Sequence, residues 1–183
     1  TAHNELVAGS SCADTITVAT ADGTTQVLTV VIAGTNDAAV ISGTASQGLT
    51  ETNAAQSTGG TLTASDVDSS AAFVAQTGVA GSGGYGTFTI NAAGVWTYTM
   101  DTAHNEFVAG TTYTDTFTVS SADGTSTSVV VNILGTNDAA VLGSATVNLT
   151  ETDAVLTTNG TLTISDVDSA ATYVAQPGTA GTY

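Results

Sequence analysis

The chain has 183 residues, with sixteen acids, two histidines and no Lys or Arg, for a formal net charge of −16. With no basic side chain to contact phosphates, nucleic acid is excluded as a partner and an anionic membrane surface is disfavoured; no apolar run approaches the roughly 20 residues of a spanning helix, so membrane insertion is not expected. Forty-two per cent of the chain is apolar but only 5 per cent is aromatic, and the excess of Thr, Val, Ala, Gly and Ser suits thin β-sandwiches rather than helical bundles.

The chain opens at Thr1-Ala2-His3-Asn4-Glu5, with neither a start Met nor a secretory leader pattern, and reads as a mature product or a fragment. Cys12 is the only cysteine, so no internal disulfide can form, and it reads as a semi-buried filler. Asp14-Thr15-Ile16-Thr17-Val18 and the run from Val27 to Ala33 have the alternation and β-branching of strands. They lead into Gly34-Thr35-Asn36-Asp37-Ala38-Ala39, a short polar hexamer that reads as a junction between strand-built units.

Beyond it, strands are predicted near 46–51, 60–65, 71–75, 86–91, 94–100, 112–120 and 126–134. Asn91-Ala92-Ala93-Gly94 is a tight hairpin turn, and Ala122-Asp123-Gly124-Thr125 is a second, since Asp-Gly tolerates positive φ. Trp96 and Tyr98 alternate with Thr97 and Thr99, which puts one face of that strand in a core. Thr102 to Ala109 is the single candidate for a helical turn. The junction then returns as Gly135-Thr136-Asn137-Asp138-Ala139-Ala140.

Self-comparison sets the organisation. Thr1–Glu5 recurs as Thr102–Glu106 and Asp14–Val18 as Asp115–Val119, both 101 residues on. Leu49-Thr50-Glu51-Thr52 recurs from Leu149, and Ser65-Asp66-Val67-Asp68-Ser69 from Ser165, both 100 residues on. The expected fold is therefore all-β, as tandem immunoglobulin-like sandwich repeats of about 100 residues. Residues 1–33 form the C-terminal part of one repeat, 34–134 a complete repeat, and 135–183 the N-terminal part of the next. Cys12 falls where the complete repeat has Tyr113. Thr1 aligns with Thr102 and Tyr183 with Tyr85, so the two partial repeats together lack the equivalent of Gly86 to Asp101. Two explanations stay open: a window from a longer repeat protein, or a filament subunit completed by its neighbour's strands. In both, the partial repeats need neighbours to complete a core.

No nucleophile–base set, phosphate loop or zinc-spaced cluster is present, so no enzyme is expected. His3 and His104 are repeat equivalents and read as loop hydrogen-bonders or neighbours of a metal site. Carboxylates instead recur at fixed places: Glu51, Asp66, Asp68, Asp101, Glu106, Asp123 and the Asn-Asp pairs 36–37 and 137–138. Asp66 and Asp68 flank Val67 in an extended segment, so both carboxylates point one way. Singly, such residues are good turn formers and solubilisers. As a returning set without basic partners they suit Ca²⁺, which takes roughly six to eight oxygens.

The ordered motifs from Gly34 to Ala39, Leu49 to Thr52, Gly60 to Ser69, Gly86 to Tyr98 and Asp115 to Thr125 resemble the VCBS repeats of giant bacterial surface proteins, which are similar to cadherin-type domains. The resemblance implies tandem sandwiches in secreted, often RTX-type, adhesins and biofilm proteins, with calcium stiffening the linkers. It places Glu51, Asp101, Glu106, Asn137, Asp138, Asp166 and Asp168 at the second junction, and Glu5, Asn36, Asp37, Asp66, Asp68 and Asp123 at the first. Asp101 and Glu106 stand further apart than in that pattern, and Ala39 and Ala140 replace its proline. The function implied is a non-enzymatic extender of an extracellular fibre at the cell surface, its partners being neighbouring repeats or identical subunits arranged head to tail. The alternative is an adhesive module for surface glycans or a matrix protein. That would need an exposed aromatic platform, and Tyr85, Trp96, Tyr98 and Tyr113 are explicable as core.

Overall fold

Alternation in sequence becomes alternation in burial along the strands of the sandwich. The computed structural model describes residues 3–182, so Thr1, Ala2 and Tyr183 of the repeat alignment lie outside the described residues. The chain begins with an antiparallel hairpin, β1 (Ser11–Ala19) and β2 (Thr25–Ala33), in which Ile16 faces Leu28. Cys12 is half-buried there, but Ile16, Val18, Leu28, Val30 and Ile32 are all exposed.

Eight strands follow: β3 (Val40–Gly43), β4 (Ser46–Thr50), β5 (Ser57–Ser65), β6 (Gln76–Ala80), β7 (Gly86–Ile90), β8 (Val95–Met100), β9 (Thr112–Ser120) and β10 (Ser126–Leu134). One sheet runs β3-β5-β8-β7-β6 and the other β4-β10-β9, with β4 parallel to β10 and every other pairing antiparallel. The sheets close on each other through Leu62, Phe88, Ile90, Trp96, Tyr98 and Met100 from the first and Phe117, Val119, Val129, Val131 and Ile133 from the second. Phe88 stacks on Phe117 across the gap at 4.7 Å. Each such buried side chain contributes about 1.5–3 kcal/mol. In β8, Trp96, Tyr98 and Met100 are buried while Val95, Thr97 and Thr99 face water, the alternation expected from the sequence. The Trp96 indole N–H donates to the Thr44 carbonyl at 2.8 Å, so its one polar atom is satisfied inside.

Four elements differ from the sequence expectation, the first being β3, which pairs with β5 where no strand was expected. The strand expected at 71–75 is a single bridge from Phe73 to Ser121, because Phe73 alone of that stretch turns into the core. The edge strand lies just beyond, as β6, where a bulge and the positive φ of Gly78 break the alternation. The helical turn expected over 102–109 is a run of bends and turns. His104 takes φ 57°, left-handed backbone that a right-handed helix cannot contain. Past the second junction only β11 (Val141–Leu142) and β12 (Ile164–Ser165) pair among the described residues.

One buried acid fixes a loop of the sandwich. Asp115 is fully buried in β9 and accepts from the backbone N–H groups of Gly83 (2.6 Å), Gly84 (3.1 Å) and Tyr85 (3.2 Å) and from the Tyr98 hydroxyl (2.8 Å). Gly81 packs so tightly on this carboxylate that a Cβ would collide with it. Burial, and then the hydrogen bond to Asp115, push the Tyr98 hydroxyl pKa far up.

Candidate metal centre

Strand register decides which acids meet. β3 leaves the first linker and pairs antiparallel with the end of β5, Val40 against Ser65. Continuing that register one step at a time brings Asp37 beside Asp68. The Asp37 N–H accordingly donates to both Asp68 carboxylate oxygens, at 3.2 and 3.3 Å. Asp66 caps the same bend by accepting from the N–H groups of Asp68 (3.0 Å) and Ser69 (2.8 Å), and the Ser69 hydroxyl donates to Asn36 Oδ1 at 3.3 Å. Asp123, at the tip of the β9–β10 hairpin, accepts from the Ala39 N–H at 2.9 Å and from Asn36 Nδ2 at 3.4 Å. Asn36, Asp37, Asp66, Asp68 and Asp123 therefore gather around the first linker.

The second junction is built the same way. The parallel β4–β10 ladder ends at Thr50 against Leu134, and the next N–H, that of Glu51, donates to the Leu134 carbonyl at 2.8 Å. Glu51 is thus delivered to the start of the linker, where it accepts from Thr136 through N–H (3.2 Å) and hydroxyl (2.6 Å). On the far side β11 pairs with β12, Val141 against Ser165, which sets Asp138 beside Asp168. The Asp138 N–H donates to Asp168 at 3.3 Å, and Asp166 caps Asp168 and Ser169 as Asp66 caps Asp68 and Ser69. Asn137 bonds back to the Asp138 carbonyl at 2.9 Å.

The other expected ligands hydrogen-bond to histidine rather than to the linkers. Glu5 accepts from His3 at 2.9 Å. His104 Nδ1 lies 2.8 Å from Glu106, and its Nε2 2.7 Å from Asp101 and 2.9 Å from the Tyr85 carbonyl. His104 stacks on Phe107, which stacks on Tyr113, so the histidine is a loop hydrogen-bonder locked by aromatic packing.

At the two junctions two carboxylates are pushed up, first by burial, and two others are held down by hydroxyl donors. Burial and then the charges of Glu51, Asp168 and Asp166 raise the Asp138 pKa. Burial raises Asp68 too; the Asp37 N–H partly opposes it, and the neighbouring Asp66 and Asp37 add to it. Asp123 and Asp166 move the other way, each first through hydroxyl donors, Ser121 and Thr125 for one and Ser169 for the other. Among the described residues, the buried side-chain oxygens with no partner include Glu51 Oε1, Asp66 Oδ2, Asp138 Oδ2 and Asp168 Oδ1. An orphaned buried carboxylate oxygen is costly, and no Lys or Arg exists to relieve it. The donors are all oxygen, chemistry that fits a hard divalent cation. Among the described residues no three His, Cys, Asp or Glu side chains stand close enough to form a ready-made metal group; the acids meet in pairs and are joined by backbone and amide groups.

The sequence model of the bacterial cadherin-like domain family matches residues 36–135, from the Asn of the first linker to the Gly that opens the second. No curated protein matches the chain.

Proposed function

Since the chain belongs to the bacterial cadherin-like domain family, we propose that it is a non-enzymatic structural module of an extracellular bacterial fibre or adhesin, made of tandem repeats of VCBS type and stiffened by calcium where they meet. The observation that carries this reading is the set of orphaned buried carboxylate oxygens on Glu51, Asp138 and Asp168 at one junction and on Asp66 at the other. Glu51, Asp138, Asp166 and Asp168 would hold the ion at the second junction, with Asn36, Asp37, Asp66, Asp68 and Asp123 at the first. Calcium supplies positive charge to oxygens that otherwise repel one another across the linker. The residues do the rest. The β4–β10 ladder carries Glu51 from the domain before the linker, and the β11–β12 pair carries Asp166 and Asp168 from the segment after it. Drawing those groups to a common point removes the linker's freedom to bend.

Extracellular calcium modules work at roughly 10⁻⁴ to 10⁻³ M, so such a segment is flexible in calcium-poor cytosol and rigid outside the cell. Neighbouring repeats, covalent or head-to-tail in a filament, complete the cores of the flanking partial repeats. Small-angle scattering and thermal melting during a calcium titration test this. Millimolar calcium should lengthen and stiffen the particle and raise its melting temperature. Identical profiles in calcium and in chelator would rule the reading out.

A further inference from the structure

Glu51 arrives at the second linker with its two carboxylate oxygens in different states. The residue is 1 per cent exposed. Its Oε2 accepts twice from one neighbour, from the Thr136 N–H at 3.2 Å and from the Thr136 hydroxyl at 2.6 Å. Its Oε1 has no partner. The last torsion of a glutamate is broad and roughly two-fold, so a carboxylate left to itself presents either oxygen. Two donors on the same oxygen settle which one stays bare.

Thr136 can make that choice because its own place is set by the sandwich. Gly135, just before it, donates its N–H to the Thr111 carbonyl at 2.9 Å and accepts from the Gly110 N–H at 3.0 Å. A Cβ on Gly135 would stand 2.4 Å from the Val108 carbonyl oxygen, nearer than real side chains come, so this seat needs glycine. Glu51 is anchored separately, through its N–H on the Leu134 carbonyl at 2.8 Å. Both partners are thus held by backbone bonds that do not involve the carboxylate, and what Thr136 adds is the direction in which that carboxylate points. Across the linker, burial and then the Glu51 charge raise the Asp138 pKa, so the two carboxylates lie within each other's field.

We infer that Thr136 is a positioning residue for the cation site at this junction: it holds Glu51 Oε2 on the linker and leaves Oε1 as the one oxygen that Glu51 offers, in company with the unpartnered Asp138 Oδ2 and Asp168 Oδ1. Glu51 is therefore a one-oxygen ligand, and the Thr136 hydroxyl acts through it. The inference rests on the calcium reading and names the residue that prepares one of its ligands. Hydrogen-bond partners of metal ligands typically govern affinity by roughly 10–100-fold.

Calcium titration calorimetry on the whole chain, with melts in chelator alongside, tests it. Asp138→Asn with Asp168→Asn identifies the calcium bound at the second junction, as the part of the native isotherm that this pair abolishes. Thr136→Val keeps the N–H and the shape of the side chain but loses the hydroxyl, whereas Thr136→Ser keeps the hydroxyl. Thr136→Val should weaken that part by roughly 10–100-fold and leave the rest of the isotherm as it is, and Thr136→Ser should restore the native affinity. A residue that only stabilised the fold would lower the melt in chelator and leave the affinity untouched. Native affinity in Thr136→Val, or an equal loss in Thr136→Val and Thr136→Ser, would overturn the inference while the calcium reading stands. A native chain that takes up no calcium overturns the calcium reading, and the inference falls with it.

Discussion

A carboxylate at the centre of an apolar sandwich has to be repaid with donors, and Asp115 receives four. All four are donors, so the group acts only as an acceptor, which an amide cannot reproduce. Asp115→Asn is expected to destabilise the sandwich by about 2–3 kcal/mol, because the amide N–H it introduces leaves a buried donor without an acceptor. Tyr98→Phe should cost only about 1–2 kcal/mol, since three donors remain; urea melts of the two variants check the order. His104 gives the pH dependence. Both ring nitrogens face only acceptors, which calls for the doubly protonated ring. Burial opposes that charge, but the bonds to Glu106, Tyr85 and Asp101 outweigh it and raise the pKa above 6.5. A raised histidine pKa stabilises fully below the unfolded value and loses its effect as pH rises through the folded one. The melting temperature should therefore fall as pH rises above 6.5 and through the raised folded value, and His104→Gln should flatten that slope. The effect is worth at most about 1 kcal/mol, because Asp101 and Glu106 are more than half exposed. The linker acids were legible because Asn-Asp and Asp-Val-Asp recur as motifs. Asp115 was legible in principle, since it shares the inward register with Phe117 and Val119, but a strand motif read for its Thr and Val hides the acid.

At the scale of elements, the strands that alternate cleanly were readable from sequence, and those shaped by a neighbour were not. β8, β9 and β10 match because each buries one face of regular alternation. Gln76–Ala80 escaped because Gly78 and the bulge hide its period, and nothing local says that 71–75 contributes only Phe73. The parallel seat of β4 on β10 was equally invisible, although it is what brings Glu51 to the second linker. The Asn91–Gly94 turn was read correctly, and Gly94 is its fixed point. Gly94 has φ 81°, and a Cβ there would strike the Leu62 carbonyl and the Phe73 ring. The left-handed backbone alone costs a non-glycine residue about 1–2 kcal/mol. With the collision added, Gly94→Ala should cost at least about 2 kcal/mol in a denaturant melt, whereas Gly84→Ala, with positive φ but open space, should cost only the backbone part.

At the scale of the whole chain, a net charge of −16 with no Lys or Arg means that any gathering of acids opposes folding unless a cation intervenes. Monovalent salt screens such repulsion over about 10 Å at 0.1 M, but it cannot partner an individual buried oxygen. A specific ion instead stabilises as RT ln(1 + [L]/Kd), about 2.7 kcal/mol at 100 times its Kd. The two effects separate in a variant that removes charge without changing shape. Asp138 and Asp168 are buried side by side, and the Asp138 pKa is raised first by that burial and then by its acidic neighbours. Asp138→Asn with Asp168→Asn therefore relieves repulsion and should melt higher than the native chain in chelator. In millimolar calcium the order should reverse, because the native chain gains the ion and the variant has lost two of its ligands. Magnesium or sodium at matched ionic strength should not reverse it, since magnesium demands near-ideal octahedral geometry and dehydrates reluctantly. If the amide variant melts below the native chain in both media, Asp138 and Asp168 are held by contacts other than an ion. If it melts above in both, the junction carries repulsion that calcium does not answer.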